Sequence, residues 1–210
     1  MEGLYAPFLF LKSFYFCLVN TLVNILIRHR EGRQHLLERC LASVQKQSFR
    51  NFKVTISVDF PVPDYIPSWC KVIEVSADQT KECYYNLYCN DLKATVEDGW
   101  FFFLDDDDYL DRANSLSLLA AELHTENMAV LVQFKRGKTK KPTYIDIRYG
   151  PVSGKIGLPC LVLHSKYKDI ADIEIGDNGD YKWIKNITKK LNFRLASVVI
   201  VNSPQRNYGK

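Results

Sequence analysis

The chain has 210 residues and a net charge of +4, and 47% of its residues are hydrophobic. This length and composition suffice for one domain with a substantial core, and they exclude a disordered or low-complexity protein. The mild charge, without a helix that interleaves basic and aromatic residues, argues against nucleic acid as a partner. The six cysteines form no CxxC pair and no zinc-type spacing, so we expect free thiols and a cytoplasmic protein.

Residues 1–21 are mostly apolar, and Arg28-His29-Arg30 follows shortly after them. A membrane-spanning helix needs about 20 apolar residues. Too few remain once the β-rich run Val23–Ile27 is assigned to the folded domain. We therefore predict that residues 1–21 pack on the domain or lie on a membrane surface, with a membrane-spanning helix as the open alternative.

Strands and helices alternate along the first half of the chain, which is typical of an α/β sheet. Apolar residues recur three and four positions apart in the helices, whereas the strands are short apolar runs. Three prolines between residues 61 and 67 exclude a helix or a central strand there, so a loop is predicted. The predicted elements are the strand Val23–Ile27, a helix over Leu36–Val44, the strands Phe52–Val58 and Lys71–Val75, the helix Lys81–Val96 and the strand Trp100–Leu104.

The second half is more irregular and is predicted to be appended to the sheet. Its basic run Lys135–Lys141 predicts a solvent-exposed loop, with contact to an anionic ligand or a membrane lipid as the alternative. The predicted elements are the helix Ala113–Thr125, the strands Ala129–Phe134, Tyr144–Tyr149 and Leu161–His164, the helix Tyr181–Leu191 and the strand Ala196–Val201. Together the two halves predict a single Rossmann-like α/β domain with a central mixed, mostly parallel sheet flanked by helices.

Four consecutive aspartates, from Asp105 to Asp108, follow the apolar strand Trp100–Leu104. Adjacent like charges destabilise a fold unless a cation compensates them. Oxygen ligands without nearby histidine or cysteine suit Mg²⁺ or Mn²⁺, and ligands of open α/β sheets bind at the carboxyl ends of strands. The cluster therefore predicts a metal site that binds a diphosphate. A solvated loop that caps the next helix through Asp108 or Asp111 is the alternative.

Three segments, in the same order and spacing, resemble family 2 glycosyltransferases of the GT-A fold. Leu37–Gln47 matches their helix pattern L-x-x-C-L-x-S-x-x-x-Q, and Asn51–Asp59 is similar to their second strand. Phe103–Leu110 resembles their D-x-D element. The resemblance implies an inverting enzyme of glycan or polysaccharide synthesis. It would move a sugar from a nucleoside-diphosphate sugar, with a UDP-sugar as the expected donor, to a hydroxyl of a glycan or another acceptor.

The resemblance also divides the chain into a nucleotide-sugar-binding half, residues 22–112, and an acceptor-side half, residues 113–210. Donor contacts are expected from residues of both halves. Asp59 would contact the base or ribose, and Asp105 and Asp106 would lie toward the ribose and the donor sugar. Arg28 would contact the nucleotide, and Arg206 the diphosphate; a surface arginine is the alternative for each.

Metal and catalytic roles follow from the same resemblance. Asp107, with Asp105, would hold Mn²⁺ or Mg²⁺, and His164 is a candidate third ligand or, alternatively, an ordinary strand histidine. An inverting transfer needs a base for the proton of the acceptor hydroxyl. We assign this role to Asp180, with Asp177 as the second candidate. The alternative for Asp180 is a structural cap of the following helix.

Two departures from the family pattern keep other functions open. Asp59-Phe60-Pro61 stands where the family has a further aspartate and Gly-Ser, so recognition of the base would differ. Gly179-Asp180 replaces the common Glu-Asp, which leaves a non-catalytic glycan-binding or scaffolding module open. A sugar nucleotidyltransferase is disfavoured because Arg28–Arg33 contains a single glycine. Because the chain is short for this family, we also expect one domain of a longer chain or part of an assembly.

Overall fold

The structure, a computed structural model, describes residues 21–76, 80 and 83–204. Residues 1–20 of the predicted apolar segment and Arg206 lie outside these ranges. Among the described residues, no helix is long and apolar enough to cross a membrane.

One nine-stranded sheet organises the described part of the chain. Its strands are β1 (Val23–Arg28), β2 (Phe52–Val58), β3 (Lys71–Glu74), β4 (Trp100–Asp105), β5 (Tyr109–Leu110), β6 (Ala129–Arg136), β7 (Thr139–Lys141), β8 (Leu161–His164) and β9 (Phe193–Asn202). The spatial order is β3-β2-β1-β4-β8-β6-β9-β5, and β7 pairs with β6. The long ladders are parallel and the antiparallel pairings are short. The predicted mixed, mostly parallel α/β sheet is confirmed.

Five helices accompany the strands in these residues. They are α1 (Gln34–Gln45), α2 (Tyr88–Ala94), α3 (Ser115–Ala120), α4 (Tyr144–Ile147) and α5 (Gly179–Lys190). The apolar spacing that predicted α1 corresponds to its buried face, which includes Leu37, Cys40 and Val44. Helices α2 and α3 are shorter than predicted, and a 3-10 turn at Tyr84–Asn86 precedes α2.

The two central strands β1 and β4 place the candidate site. All residues from Trp100 to Leu104 are buried, as expected for a strand covered on both faces. The parallel register sets Arg28 opposite both Ser57 of β2 and Asp105 of β4. The carboxyl ends of the three strands therefore meet at one edge of the sheet, where ligands of open α/β sheets bind.

Two predictions for residues 135–149 are wrong. Tyr144–Tyr149 is not a strand, because Thr143 and Asp146 form a capping box that starts helix α4 over Tyr144–Ile147. The basic run does not form a simple loop. It forms the hairpin of β6 and β7, in which Arg136 pairs with Thr139 around Gly137.

Strand β9 closes the segment that follows the aspartates. Tyr109 and Leu110 of β5 pair with Asn202 and Val201 of β9. The next amide, that of Asp111, donates to the carbonyl of Ile200 at 3.0 Å. The four aspartates therefore lie in a turn that is held at one end by central strand β4 and at the other by β9.

A line of polar side chains, Asn86, Asn90 and Lys93, joins the first half of the chain to segment 168–176; we call it the polar seam. The spacing of four and three residues places the three side chains on one helical face. Asn90 exchanges two hydrogen bonds of 2.9 Å with the backbone of Ile173. The buried amine of Lys93 donates to two carbonyl groups and one carboxylate of this segment. The seam thus fixes the segment that leads into helix α5.

Candidate active site

Three of the four consecutive aspartates converge in the turn after β4. One carboxylate oxygen from each of Asp105, Asp107 and Asp108 lies within 4.8 Å of the others. The amide of Asp108 donates to the carbonyl of Asp105 at 2.9 Å, which tightens the turn. Three carboxylate oxygens at this separation are a ligand set that Mg²⁺ or Mn²⁺ accepts. The residues present therefore fit the predicted ion.

The carboxylate of Asp106 is buried and anchors the turn. Its Oδ2 lies 2.9 Å from His29 Nδ1, and its Oδ1 lies 3.0 Å from Arg33 Nη1. His29 Nε2 in turn lies 2.8 Å from the hydroxyl of Tyr65, which belongs to the proline-containing loop. Asp106 was predicted to contact the donor. Its 1% exposure and its two cationic or imidazole neighbours favour an anchoring role instead.

Arg33 also reaches the converging carboxylates. Its Nη2 lies 2.8 Å from Asp107 Oδ2, although the Arg33 side chain remains 27% exposed. Arg39 donates to the carbonyl oxygen of Asp107 at 2.6 Å. The guanidinium of Arg33 therefore balances part of the negative charge where the metal is expected.

Arg28 and Asp105 form an ion pair of 2.5 Å between Arg28 Nη2 and Asp105 Oδ1. The strand register causes this contact, because paired residues of neighbouring strands share one face. Burial by itself lowers the pKa of Arg28. The negative charge of Asp105 and other neighbours more than offsets this effect, so the pKa of Arg28 is raised overall. The Nη1 of Arg28 also donates to Asn86 Oδ1 at 3.2 Å, so the polar seam reaches the site.

Two cavities meet at this ion pair. The tyrosine cavity, about 470 Å³, is lined by the loop after β1, by Tyr85 and Tyr88, and by the start of the aspartate turn. The carboxylate cavity, about 330 Å³, is lined by Asp105, Asp108 and Asp180 and by residues of the β6–β7 hairpin. Arg28, Tyr85 and Asp105 border both. Volumes of this size are typical of small-ligand sites.

The tyrosine cavity offers ring faces and a polar contact to Asp59. The guanidinium of Arg28 lies 5.4 Å, and that of Arg30 5.6 Å, from the centre of the Tyr85 ring. The hydroxyl of Tyr88 donates to Asp59 Oδ2 at 2.9 Å. Burial and the Asp59 carboxylate raise the pKa of Tyr88, which keeps this hydroxyl protonated. Asp59 thus lies behind Tyr88, at the edge of the sheet where it was predicted.

Asp180 enters the carboxylate cavity from the first turn of α5. Burial raises the pKa of Asp180 above its ordinary value, because desolvation disfavours the anion. Its Oδ1 accepts from the amide of Tyr181 at 2.7 Å. The helix begins at Gly179 with Asn178, in the left-handed conformation, as its cap. The Asp180 side chain therefore serves the first turn of the helix and also borders the cavity, so its structural and catalytic roles are compatible.

Asp177 lines the same cavity but is exposed. The Sγ of Cys83 lies 3.8 Å from Asp177 Oδ1. Because an exposed carboxylate keeps its hydration, Asp177 is a weaker candidate base than Asp180 at neutral pH.

Gly179 explains the departure from the Glu-Asp pattern. A Cβ at this position would lie 2.4 Å from the carbonyl oxygen of Glu174 and 2.8 Å from Asn86 Nδ2. The segment before α5 and the polar seam pack too closely for any side chain. A glycine is therefore required to bring Asp180 into the cavity.

His164 lies away from the aspartates. It pairs with Trp100 at the start of β4, whereas Asp105 is at the other end of that strand. Five strand residues correspond to about 16 Å. His164 Nε2 lies 3.7 Å from Glu126 Oε1, and burial lowers the pKa of its imidazole. The predicted role as a metal ligand does not fit this position.

Several side chains at the site had not been predicted from the sequence, among them His29, Arg33, Tyr65 and Asn86. The partners of His29, Tyr65 and Asn86 lie 36 to 90 positions away in the chain. Only the fold brings these pairs together, so local patterns contain no signal for them. Arg33 lies in the short loop between β1 and α1, and this position near the edge of the sheet was an available clue.

Comparisons with solved structures identify the fold. The chain is similar to a crystal structure of residues 1–349 of S. aureus TarS, with a TM-score of 0.67 and 15% identity over 88% of this chain and 60% of that chain. The same fragment in complex with UDP-GlcNAc has a TM-score of 0.67 and 16% identity, over 90% of this chain and 60% of that chain. The fragment in complex with UDP has a TM-score of 0.65 and 15% identity, over 89% of this chain and 61% of that chain. The chain therefore spans about three fifths of the TarS fragment and shares its fold.

Sequence comparisons give no further guidance. No protein-family model matches the chain, and no curated protein matches it in sequence.

Proposed function

We propose that this chain is a metal-dependent glycosyltransferase that moves a sugar from a nucleoside-diphosphate sugar to an acceptor hydroxyl with inversion. One observation carries the proposal. Asp105 and Asp108, two members of a carboxylate set suited to a divalent cation, line the same cavity as Asp180, a half-buried carboxylate with a raised pKa. Metal-dependent sugar transfer with a general base needs this combination.

The two cavities suggest how a donor would lie. A nucleoside would occupy the tyrosine cavity, where Tyr85 offers a ring face and Tyr88, held by Asp59 behind it, borders the cavity. The diphosphate would cross at Arg28, and the sugar would enter the carboxylate cavity. The TarS complexes with UDP and UDP-GlcNAc support a UDP-sugar as the donor class to test first.

Asp107, Asp105 and Asp108 would hold Mn²⁺ or Mg²⁺. The bound ion would neutralise charge on the leaving diphosphate. Arg28 and Arg33 supply further positive charge next to this position, and Arg28 is held in place by Asp105 and Asn86. Asp180 would accept the proton of the acceptor hydroxyl at one of its carboxylate oxygens.

Thermal unfolding with nucleotide sugars tests the proposal, since a ligand that binds only the folded state raises the melting temperature. We expect UDP-sugars to raise it in Mn²⁺ but not in a chelator, and Asp107→Ala to abolish the shift. Asp169→Ala, which removes an exposed carboxylate, should retain it. The proposal is wrong if no donor shifts the wild type in any metal, or if Asp107→Ala shifts like the wild type.

Transfer itself needs a separate measurement. Incubation with UDP-sugars, Mn²⁺ and a panel of glycan acceptors should release UDP and form a product with the anomeric configuration opposite to that of the donor. Nuclear magnetic resonance of the product reports the anomer. A chain that binds donor but never releases UDP with any acceptor would be a non-catalytic module instead.

A further inference from the structure

The surface formed by residues 135–155 combines exposed basic and exposed apolar side chains; we call it the docking face. All of these residues are described by the structure, and none of the exposed ones is acidic. The one acidic residue, Asp146, is held by Thr143 and Lys141. The exposed basic residues are Arg136, Lys138, Lys140, Arg148 and Lys155, and the exposed large apolar residues are Tyr144, Ile145, Tyr149 and Val152.

The docking face differs from the rest of the chain in charge. It contains seven basic residues and one acidic residue, whereas the net charge of the entire chain is only +4. The remainder therefore carries a net negative charge, and the positive charge is concentrated on this face. Such a concentration attracts an anionic surface and orients the molecule toward it.

Large apolar side chains are also exposed in the same segment of the chain. Ile145 is 83% exposed and Tyr149 is 90% exposed. Outside this face, the large hydrophobic side chains exposed among the described residues are Val62 and Trp69. Burying such residues in a less polar environment is favourable, so their exposure indicates a binding surface.

We propose that the docking face binds the surface of an anionic lipid bilayer. The exposed rings of Tyr144 and Tyr149 and the side chain of Ile145 would enter the interfacial layer of the bilayer. The lysines and arginines would contact lipid phosphates. Exposed cationic side chains are interspersed with exposed apolar side chains along the docking face. This arrangement favours a bilayer over a protein partner. The centre of a protein–protein interface is depleted of charged residues and packs as a continuous patch.

The docking face continues into the carboxylate cavity. Gly154, Ile156 and Gly157 line that cavity, and Arg136 stands at its border. A bilayer bound at this face would therefore lie next to the position of Asp180. If the proposed sugar transfer is correct, the acceptor is then delivered from the membrane surface; the binding itself does not depend on transfer.

Vesicle flotation with the full chain tests this inference without any donor. We expect binding to phosphatidylcholine vesicles that contain phosphatidylglycerol and little binding to phosphatidylcholine alone. Ile145→Ser with Tyr149→Ser, and separately Lys138→Glu with Lys140→Glu, should each lower the partition constant at least about tenfold. Matched controls, Val62→Ser with Trp69→Ser and Lys182→Glu with Lys189→Glu, change exposed residues elsewhere and should bind like the wild type.

Three results would overturn the inference. Equal binding to neutral vesicles would show that anionic lipid is not recognised. Unchanged binding in both docking-face variants would assign the lipid contact to another part of the chain. A wild-type dimer that dissociates in the Ile145→Ser, Tyr149→Ser variant, measured by sedimentation velocity, would assign the face to a second copy of the chain. Melting temperatures of all variants verify that they fold, and the lysine pair changes only exposed side chains.

Discussion

Asp180 differs from Asp177 in how far it is removed from water. Burial disfavours the charged carboxylate and raises the pKa of Asp180. A base must be deprotonated to act, so turnover should fall as the pH drops through this raised pKa. The acidic limb of the pH–rate profile is therefore expected above the value of about 3.9 for an ordinary aspartate.

Asp180→Asn is expected to lower kcat by about 10²- to 10⁴-fold and to remove the acidic limb, because the amide cannot accept the proton. Donor affinity should change little. The melting temperature at neutral pH should not fall, since a buried charge is removed. Asp177→Asn is the matched control and should keep the limb. If Asp177→Asn removes the limb and Asp180→Asn does not, the base has been misassigned.

Arg33 would compete with the proposed cation for Asp107 in the donor-free protein. The contact of 2.8 Å is partly exposed, and exposed ion pairs contribute about 0.2–1 kcal/mol. Arg33→Gln should therefore raise the affinity for Mn²⁺ alone by up to about fivefold. It should weaken donor binding, because a phosphate loses a cation. Isothermal titration with Mn²⁺, then with donor, measures both.

Arg39→Gln is the control for Arg33→Gln, since Arg39 donates to the backbone carbonyl of Asp107. It should leave Mn²⁺ affinity within about twofold of the wild type. A fall in Mn²⁺ affinity in Arg33→Gln would mean that Arg33 orients Asp107 and does not compete with the ion.

At the scale of elements, the start of helix α5 depends on Gly179. Gly179→Ala would place a methyl group against the carbonyl of Glu174, which is backbone and cannot move aside freely. Overpacking of this kind costs about 1–3 kcal/mol. We expect the melting temperature to fall by about 2–12 °C. Turnover should fall as well, because Asp180 follows directly.

Gly157→Ala is the matched control for this change. Its Cβ would meet only side-chain atoms, at 3.4 Å and 3.8 Å, which are ordinary contact distances. Its melting temperature should stay close to that of the wild type. Equal stability of the two alanine variants would contradict the packing argument at Gly179.

The strands were predicted well because their apolar runs are local and continuous. Trp100–Leu104 and Phe52–Val58 could be assigned without knowledge of the fold. Helix α4 was missed although Thr143 and Asp146 show the spacing of a capping box, because four residues are too few to show a helical period. The order of the strands was not predictable in detail, since β8 and β6 enter the sheet between β4 and β9.

The candidate site was predicted in part for the same physical reason. Asp105 and Asp107 follow a buried strand, and Asp180 starts a helix, so their positions could be inferred from neighbouring residues. The anchoring of Asp106 by His29 and the link from Arg28 to Asn86 depend on side-chain contacts across the fold. No sequence pattern distinguishes the anchored aspartate from its three neighbours.

For the whole molecule, the polar seam adds to the strand pairings that hold the two halves together. The amine of Lys93 is buried and has three acceptors, one of them the largely exposed Asp172. Lys93→Met should lower the free energy of unfolding by about 2–4 kcal/mol, because two carbonyl groups at the buried amine lose their donor. Asp172→Asn should cost less than about 1 kcal/mol. Chemical denaturation measures both values, and equal costs would contradict the importance of the carbonyl contacts.

The pairing of β5 with β9 has a consequence for the order of folding. Tyr109 and Leu110 lie directly after the aspartates, but their partners Asn202 and Val201 are about 90 residues further along the chain. Contacts at such separation form late, because the intervening chain must first be ordered. During synthesis, the first half can therefore collapse around β1 and β4 while its acidic turn is still open. The turn acquires its final shape only when strand β9 has been made and docked.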